Sequence, residues 1–317
     1  MTMLLSVALV CAVEFGMRLA PVQAPLWLAA RARLESDQSF MREVCYIRLE
    51  EATGRADATP SVILMGSSQV LNGVDEQLLR RLIAPQPVIR RAVFGMSPLK
   101  AVAVSSYVPF RPGDTCFLYL SEFDFTNQDP FPYSWFRPFA SWSVWRDVME
   151  SAGSSVYWPH WRGVSDYSMA ATFELWQTRD FIRRIVFRFW RNEPAAQSAV
   201  ADLATLAAEA EKAKTVVSDA PEQWRGFARF VSRLRAGNVK LLIFEGDVNP
   251  ELYSQKRLAA KQETMDALLE YVGLDVQYVS RNDQNLDLTH EDWRDMTHLN
   301  AHGRELLTRR LAAEFRQ

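Results

Sequence analysis

Two short segments near opposite ends of the chain carry residue types that together can perform acyl chemistry. Val62-Ile63-Leu64-Met65-Gly66-Ser67-Ser68 is an apolar run that stops at a glycine and two serines, while Asp295-Met296-Thr297-His298-Leu299-Asn300 places an acid three residues before a histidine. A serine hydroxyl is a poor nucleophile until a base takes its proton, and an imidazole acting as that base needs a group that fixes its tautomer and stabilises its charged form. Ser68, His298 and Asp295 are therefore candidates for nucleophile, base and orienting acid. Each part also has a plainer use. Two serines after a glycine serve equally as turn residues or a helix cap, and His160, His290 and His302 offer other bases. His298 is preferred because Asp295 precedes it and Asn300 can cap a helix just beyond, so the ring would be held rigidly. His290 and His302 would suggest a metal cluster with Asp295, but no H-E-x-x-H or comparable ligand pattern accompanies them. Neither a metal nor another cofactor is expected.

Reactive groups need a scaffold to deliver them to one place. From Ser61 onward, apolar strand-like runs alternate with helical patterns, which predicts an α/β three-layer sandwich around a mostly parallel five-stranded sheet. The expected strands are Val62–Met65, Val88–Val93, Thr115–Leu120, Val239–Phe244 and Asp275–Val279. Helices are expected over Val74–Ile83, Pro98–Tyr107, Gln223–Ala236, Pro250–Val272 and Ala301–Phe315, with Asn249 and Asn300 as N-caps. In a parallel sheet the loops leaving the strands' carboxyl ends carry the reactive groups. Ser68 sits directly after the first such strand.

Around this domain the pattern changes. Residues 1–20 read as a membrane anchor or signal-anchor, because Met3–Val13 is uninterrupted and apolar, although that run is shorter than the roughly 20 residues a full span needs. Residues 21–60 read as a helical neck and linker, and 61–317 as the α/β domain with an insertion at 127–193. The insertion is aromatic-rich: Trp135, Trp142 and Trp145 head a series of tryptophans that either lines a groove for sugar or acyl chains or forms a subdomain core. Within it, Thr178–Asn192 has arginines on one side of a helical pattern and apolar residues on the other, which suits an anionic membrane surface or packing on the domain itself. The net charge of -2 provides no global basic field, so nucleic acid is not an expected partner. Cys11, Cys45 and Cys116 show no metal-ligand spacing, and Cys116 reads as a small buried hydrophobe.

The order of these pieces resembles the SGNH, or GDSL-type, hydrolase superfamily. In that family a nucleophilic serine follows the first strand in a G-D-S motif, a glycine follows the second strand, G-x-N-D follows the third, and D-x-x-H lies near the C-terminus. Gly66-Ser67-Ser68 resembles the first motif, Phe94-Gly95-Met96-Ser97 the second and Asp295-x-x-His298 the last. The resemblance implies an SGNH or flavodoxin-like sheet, and an oxyanion site formed by the backbone amides of Ser68 and Gly95. The third motif departs from the family, since Ser121-Glu122-Phe123-Asp124 has phenylalanine where the oxyanion asparagine belongs. Asn127 is the substitute the sequence offers. Loss of one such donor removes on the order of 3 kcal/mol of transition-state stabilisation.

The G-S-S form of the first motif, the apolar N-terminus and the segment Phe244–Leu252 are similar to one branch of the superfamily, the membrane-anchored proteins of alginate O-acetylation and teichoic-acid D-alanylation. This likeness implies a serine-dependent O-acyltransferase or esterase at the bacterial inner membrane, facing the periplasm or cell exterior. Its acceptor would be a cell-surface polysaccharide or glycoconjugate, and its partner a membrane-bound O-acyltransferase. The rival expectation is a catalytically inactive binding or scaffold subunit that kept the fold and lost the chemistry with the third-motif asparagine. A cytosolic lipase-like esterase is the third.

Overall fold

The computed structural model describes residues 2–33, 40–54, 59–125, 136–153, 161–187, 221–249, 251, 255–272 and 276–316. The chain divides into two compact units. One comprises Ala58–Ala101, Phe110–Gln128 and Ser198–Gln317, and contains the sheet.

Five strands, β1 (Val62–Met65), β2 (Val88–Arg90), β3 (Thr115–Leu120), β4 (Lys240–Glu245) and β5 (Gln277–Val279), pair in parallel in the order β2-β1-β3-β4-β5. β1 is buried along its whole length and β3 everywhere but its first residue, as near-continuous apolar strands of a parallel sheet must be. Alternate residues go to opposite faces. Val62, Leu64, Phe117, Tyr119, Leu242, Phe244 and Val279 face one core, while Ile63, Met65, Cys116, Leu118, Leu241 and Ile243 are buried on the other side.

Twelve α-helices occur among the described residues. In the sheet-containing unit, α4 (Ser68–Gly73), α5 (Glu76–Leu82) and α12 (Ala301–Glu314) cover the first face through Val70, Leu79, Leu307 and Leu311. On the other lie α6 (Pro98–Ser105), whose residues from Val102 onward belong to the second unit, α10 (Pro221–Ala236) and α11 (Gln255–Val272). There Gly226 of α10 lies against the Leu99 backbone of α6, and Gln223 Oε1 accepts the Leu99 amide at 3.1 Å. This is an α/β fold with a five-stranded parallel sheet.

The second unit comprises Met1–Asp57, Val102–Pro109 and Asp129–Gln197. It contains α1 (Thr2–Met17), α2 (Ala20–Arg33), α3 (Phe40–Thr53), α7 (Trp142–Ala152), α8 (Trp161–Thr172) and α9 (Glu174–Phe187). Trp27 of α2 meets Phe181 of α9 edge-on at 4.7 Å, and Val44, Ile47, Phe139, Val148 and Tyr167 are buried with them. Arg48 is buried beneath this packing, bonded to Glu174 at 2.8 Å and stacked over Tyr107 at 4.8 Å. Such a charge is tolerated in the interior only because it is paired.

Several sequence expectations need correction. The N-terminal membrane helix is not supported, since no helix among the described residues is long and apolar enough to cross a membrane. The 16 residues of α1 extend about 24 Å at 1.5 Å per residue, short of a hydrocarbon core of roughly 30 Å. Its Glu14 is buried as a helix cap, accepting the Glu174 and Leu175 amides at 2.6 and 3.0 Å. β2 ends three residues early, yet Arg91 and Val93 still donate to Leu64 and Gly66 of the neighbouring segment. Cys11, Cys45 and Cys116 form no disulfide with one another.

A Cβ on Gly226 would come within 2.6 Å of Leu99 Cα, a backbone atom. Gly226→Ala is expected to destabilise the protein by about 1–3 kcal/mol, measured as a lower urea midpoint.

Candidate active site

The sheet order reverses at β1, whose two neighbours connect in opposite directions, and open α/β sheets hold ligands in the crevice beyond that point. Gly66 leaves β1 with φ +149°, and a Cβ there would strike Val70 Cγ2 at 2.4 Å. Only glycine allows so sharp a passage from strand to helix. Ser67 then caps α4, and Ser68 becomes its first residue, half-buried rather than sealed in the core.

The partner residues come from the connection between β5 and α12. Trp293 and Leu299 form an antiparallel bridge, and Arg294 donates its amide to the His298 carbonyl at 2.8 Å, which closes Arg294–Leu299 into a tight hairpin. Asn300 caps α12 by accepting the His302 and Gly303 amides. Gly303 has no room for a side chain, since a Cβ would lie 2.5 Å from the Asp292 carbonyl oxygen. Asn249, beyond β4, supports the hairpin by donating its amide to the Met296 carbonyl at 2.9 Å.

This hairpin brings His298 Nε2 to 2.8 Å from Ser68 Oγ. On the other side of the ring, Nδ1 lies 2.9 Å from both Asp295 carboxylate oxygens. With Nδ1 protonated toward Asp295, Nε2 is the acceptor for the serine proton. The carboxylate also accepts the amides of Thr297 at 3.0 Å and His298 at 2.9 Å, and Arg294 Nε lies 3.5 Å away. Burial opposes ionisation of Asp295, but the hydrogen bonds from His298 and the two amides prevail and hold its carboxyl down to about 2. The acid is thus a fixed anion that orients the imidazole.

Val93 donates its amide to the Gly66 carbonyl at 3.0 Å, laying the turn after β2 beside the turn after β1. Gly95 is exposed with φ +65°. Its carbonyl accepts the buried Lys100 ammonium at 2.8 Å, which restrains the Gly95–Met96 peptide. As the first helical residue, Ser68 has an amide with no intrahelical partner.

Behind the serine, Gln69 accepts Ser121 Oγ at 3.1 Å and donates to the Asp247 carbonyl at 3.4 Å. Asp124 of the third motif accepts the Ser121 amide at 2.8 Å, so it shapes the turn after β3. Asn127, Trp135 and His160 lie outside the described residues. Trp142 and Trp145 belong to α7 of the helical unit, where Trp142 is exposed and Trp145 packs on Tyr167 at 5.0 Å. His290 faces Asn249 at 3.2 Å, and His302 pairs with Asp292 at 2.6 Å. Among the described residues no group of three or more His, Cys, Asp or Glu is placed to hold a metal ion.

Sequence reading missed Lys100 and Arg294. Lys100 had one signal, being the lone cation in the apolar helix PLKAVAVS. Arg294 had only its adjacency to Asp295.

No family model matches this chain. No curated protein matches it either. Among solved structures, it is similar to a Streptococcus pneumonia protein provisionally described as a platelet activating factor, with a TM-score of 0.47 and 11% identity over 89% of this chain and 94% of that one.

Because the Asp295 carboxyl is depressed, its contribution to stability is complete above its ordinary value of 3.8 and is lost as pH falls toward about 2. The stability difference between wild type and Asp295→Asn, measured by urea unfolding, should be present at neutral pH and should close across that acidic window.

Proposed function

We propose that this protein is a serine-dependent O-acyltransferase or esterase that works through an acyl-enzyme. The observation that carries this reading is the continuous hydrogen-bonded chain from Ser68 through His298 to Asp295 at the carboxyl edge of the parallel sheet. In the proposed reaction, Ser68 Oγ attacks the acyl carbonyl carbon while its proton passes to His298 Nε2. Negative charge collects on the carbonyl oxygen, facing the Ser68 and Gly95 amides. Collapse expels the donor's leaving group, which takes the proton from His298. A sugar hydroxyl or water, deprotonated by the same imidazole, then attacks the acyl-serine and frees Ser68. Asp295 remains ionised throughout and stabilises the imidazolium.

The SGNH resemblance supports the same chemistry and adds the setting. We assign the acceptor as a cell-surface polysaccharide or glycoconjugate, and the location as the outer side of a bacterial inner membrane, with α1 as the point of membrane attachment. The acyl donor route would include a membrane-bound O-acyltransferase. The inactive-scaffold reading rests on Phe123 at the third-motif position. It would leave the close Ser68–His298 contact without use.

A fluorophosphonate should label wild type at Ser68 and leave Ser68→Ala unlabelled. Absence of Ser68 labelling under conditions that modify an authentic serine esterase would sink the catalytic reading and favour the scaffold. His298→Ala should slow cleavage of an activated acyl ester by about 10²–10⁴-fold. Lys100→Met, which releases the Gly95 peptide, should lower kcat by up to about 10²-fold with KM little changed. Added acceptor sugar that diverts acyl groups from water would distinguish transfer from hydrolysis.

A further inference from the structure

The base of α1 is bonded to the helical unit through Glu14 and Arg18. Glu14 caps the start of α9 through the Glu174 and Leu175 amides, and Arg18 bonds both Glu14 and the Thr172 carbonyl. Around those bonds the surface is apolar and open. Leu19 and Val22 are 44% and 40% exposed, and Met169, Phe173, Leu175 and Trp176 are 36–38% exposed. Each lies within four residues of Arg18, Thr172 or Glu174 along the chain, and together they make up the collar at the foot of α1.

The helix above the collar identifies what meets it. At about 100° per residue, Leu5, Val10 and Phe15 each point about 140° from the last, so they emerge on three sides of α1. All three are more than half exposed. A groove on a partner protein would cover one stripe of such a helix and leave the others in water, whereas lipid covers every side. The collar therefore adjoins a helix that is apolar on three sides and too short to span a bilayer, a surface that shallow insertion into lipid would cover.

We propose that the collar is a second membrane contact, seating the helical unit on the bilayer surface while α1 inserts part of its length without crossing. This rests on the membrane attachment proposed for α1 and is independent of the catalytic reading. The side chains suit the interface. The Trp176 indole donates to Asp166 at 2.8 Å and lies 4.1 Å beneath the Arg179 guanidinium, so an apolar ring sits beside charged groups. Aromatic residues with one polar edge favour that boundary. Arg18, 55% exposed, is available to lipid phosphates at the same level.

The test is flotation of the full chain with phosphatidylcholine vesicles, with and without phosphatidylglycerol. Wild type should float, and Leu5→Glu/Val10→Glu should lose binding at least tenfold. Phe173→Ser/Leu175→Ser should weaken binding several-fold while circular dichroism stays unchanged. Brominated lipid should quench wild-type fluorescence more than that of Trp176→Phe. If the Phe173/Leu175 variant floats as wild type and the quenching does not depend on Trp176, the collar is overturned while α1 attachment stands. Failure of wild type to float with either vesicle overturns both. Both are also overturned if gel filtration shows an oligomer that Leu5→Glu/Val10→Glu dissociates, because another copy of the chain would then cover the apolar surface.

Discussion

A histidine ring held on both sides, by an anion at Nδ1 and a hydroxyl at Nε2, has almost no freedom left, and that restraint governs the carboxyl edge of the sheet. The serine and histidine are separated by 230 residues, so no local preference can align them. What aligns them is a hairpin closed by its own backbone hydrogen bonds and anchored to a capped helix. Asp295 is central to it, since one carboxylate both accepts two amides that shape the turn and orients the imidazole. The restraint is structural and chemical at once. It extends into α12 through Gly303, where the helix and the Asp292 backbone meet with no space for a side chain.

The sheet edge around this trio is held by polar contacts that would be unfavourable in isolation. Glu245 and Asp247, where β4 ends, share the buried Lys261 ammonium at 2.8 and 3.6 Å, and Asp247 also takes Arg281 at 2.6 Å. Burial would raise the Glu245 carboxyl, but Lys261, the Arg281 amide and the Tyr278 hydroxyl together hold it below its ordinary value. Charges in the interior persist when their partners are in place and become strongly destabilising when one is removed. The loop after β4 is thereby fixed where it meets the hairpin through Asn249 and Met296. Lys100 does the same for the turn after β2. The turn after β3 carries Phe123 where the resembled motif has asparagine, so no asparagine side chain is supplied at that position.

In the helical unit the same economy is visible in Glu14. A carboxylate in an apolar helix is costly alone, yet here it satisfies two amides at the start of α9 and pairs with Arg18. The foot of α1 is rigid while its sides remain apolar and open. The tryptophan-rich segment also divides. Trp145 contributes to the core against Tyr167, and Trp142, Trp161 and Trp176 stay at the surface.

Much of the α/β domain was legible in the amino-acid sequence, and the parts that were not share a cause. β1 and β3 have the bounds expected from their apolar runs, because strands buried on both faces must be apolar at every position. The Asn300 cap was equally readable, since its partners lie within three residues. β2 is shorter than its strand-like run, as strand ends depend on where a neighbour stops pairing. The types and order of Ser68, Asp295 and His298 suggested a trio, but their 2.8–2.9 Å spacing is a property of the hairpin and the sheet reversal. Lys100 and Glu14 were opaque because each bonds backbone groups, and backbone groups look alike in every sequence. Sequence by itself determined the residue types, the alternation of strands and helices and the local caps, all of which are set by short-range sterics and hydrophobic period. Only tertiary structure decided which distant carbonyl, amide or imidazole each polar side chain would meet.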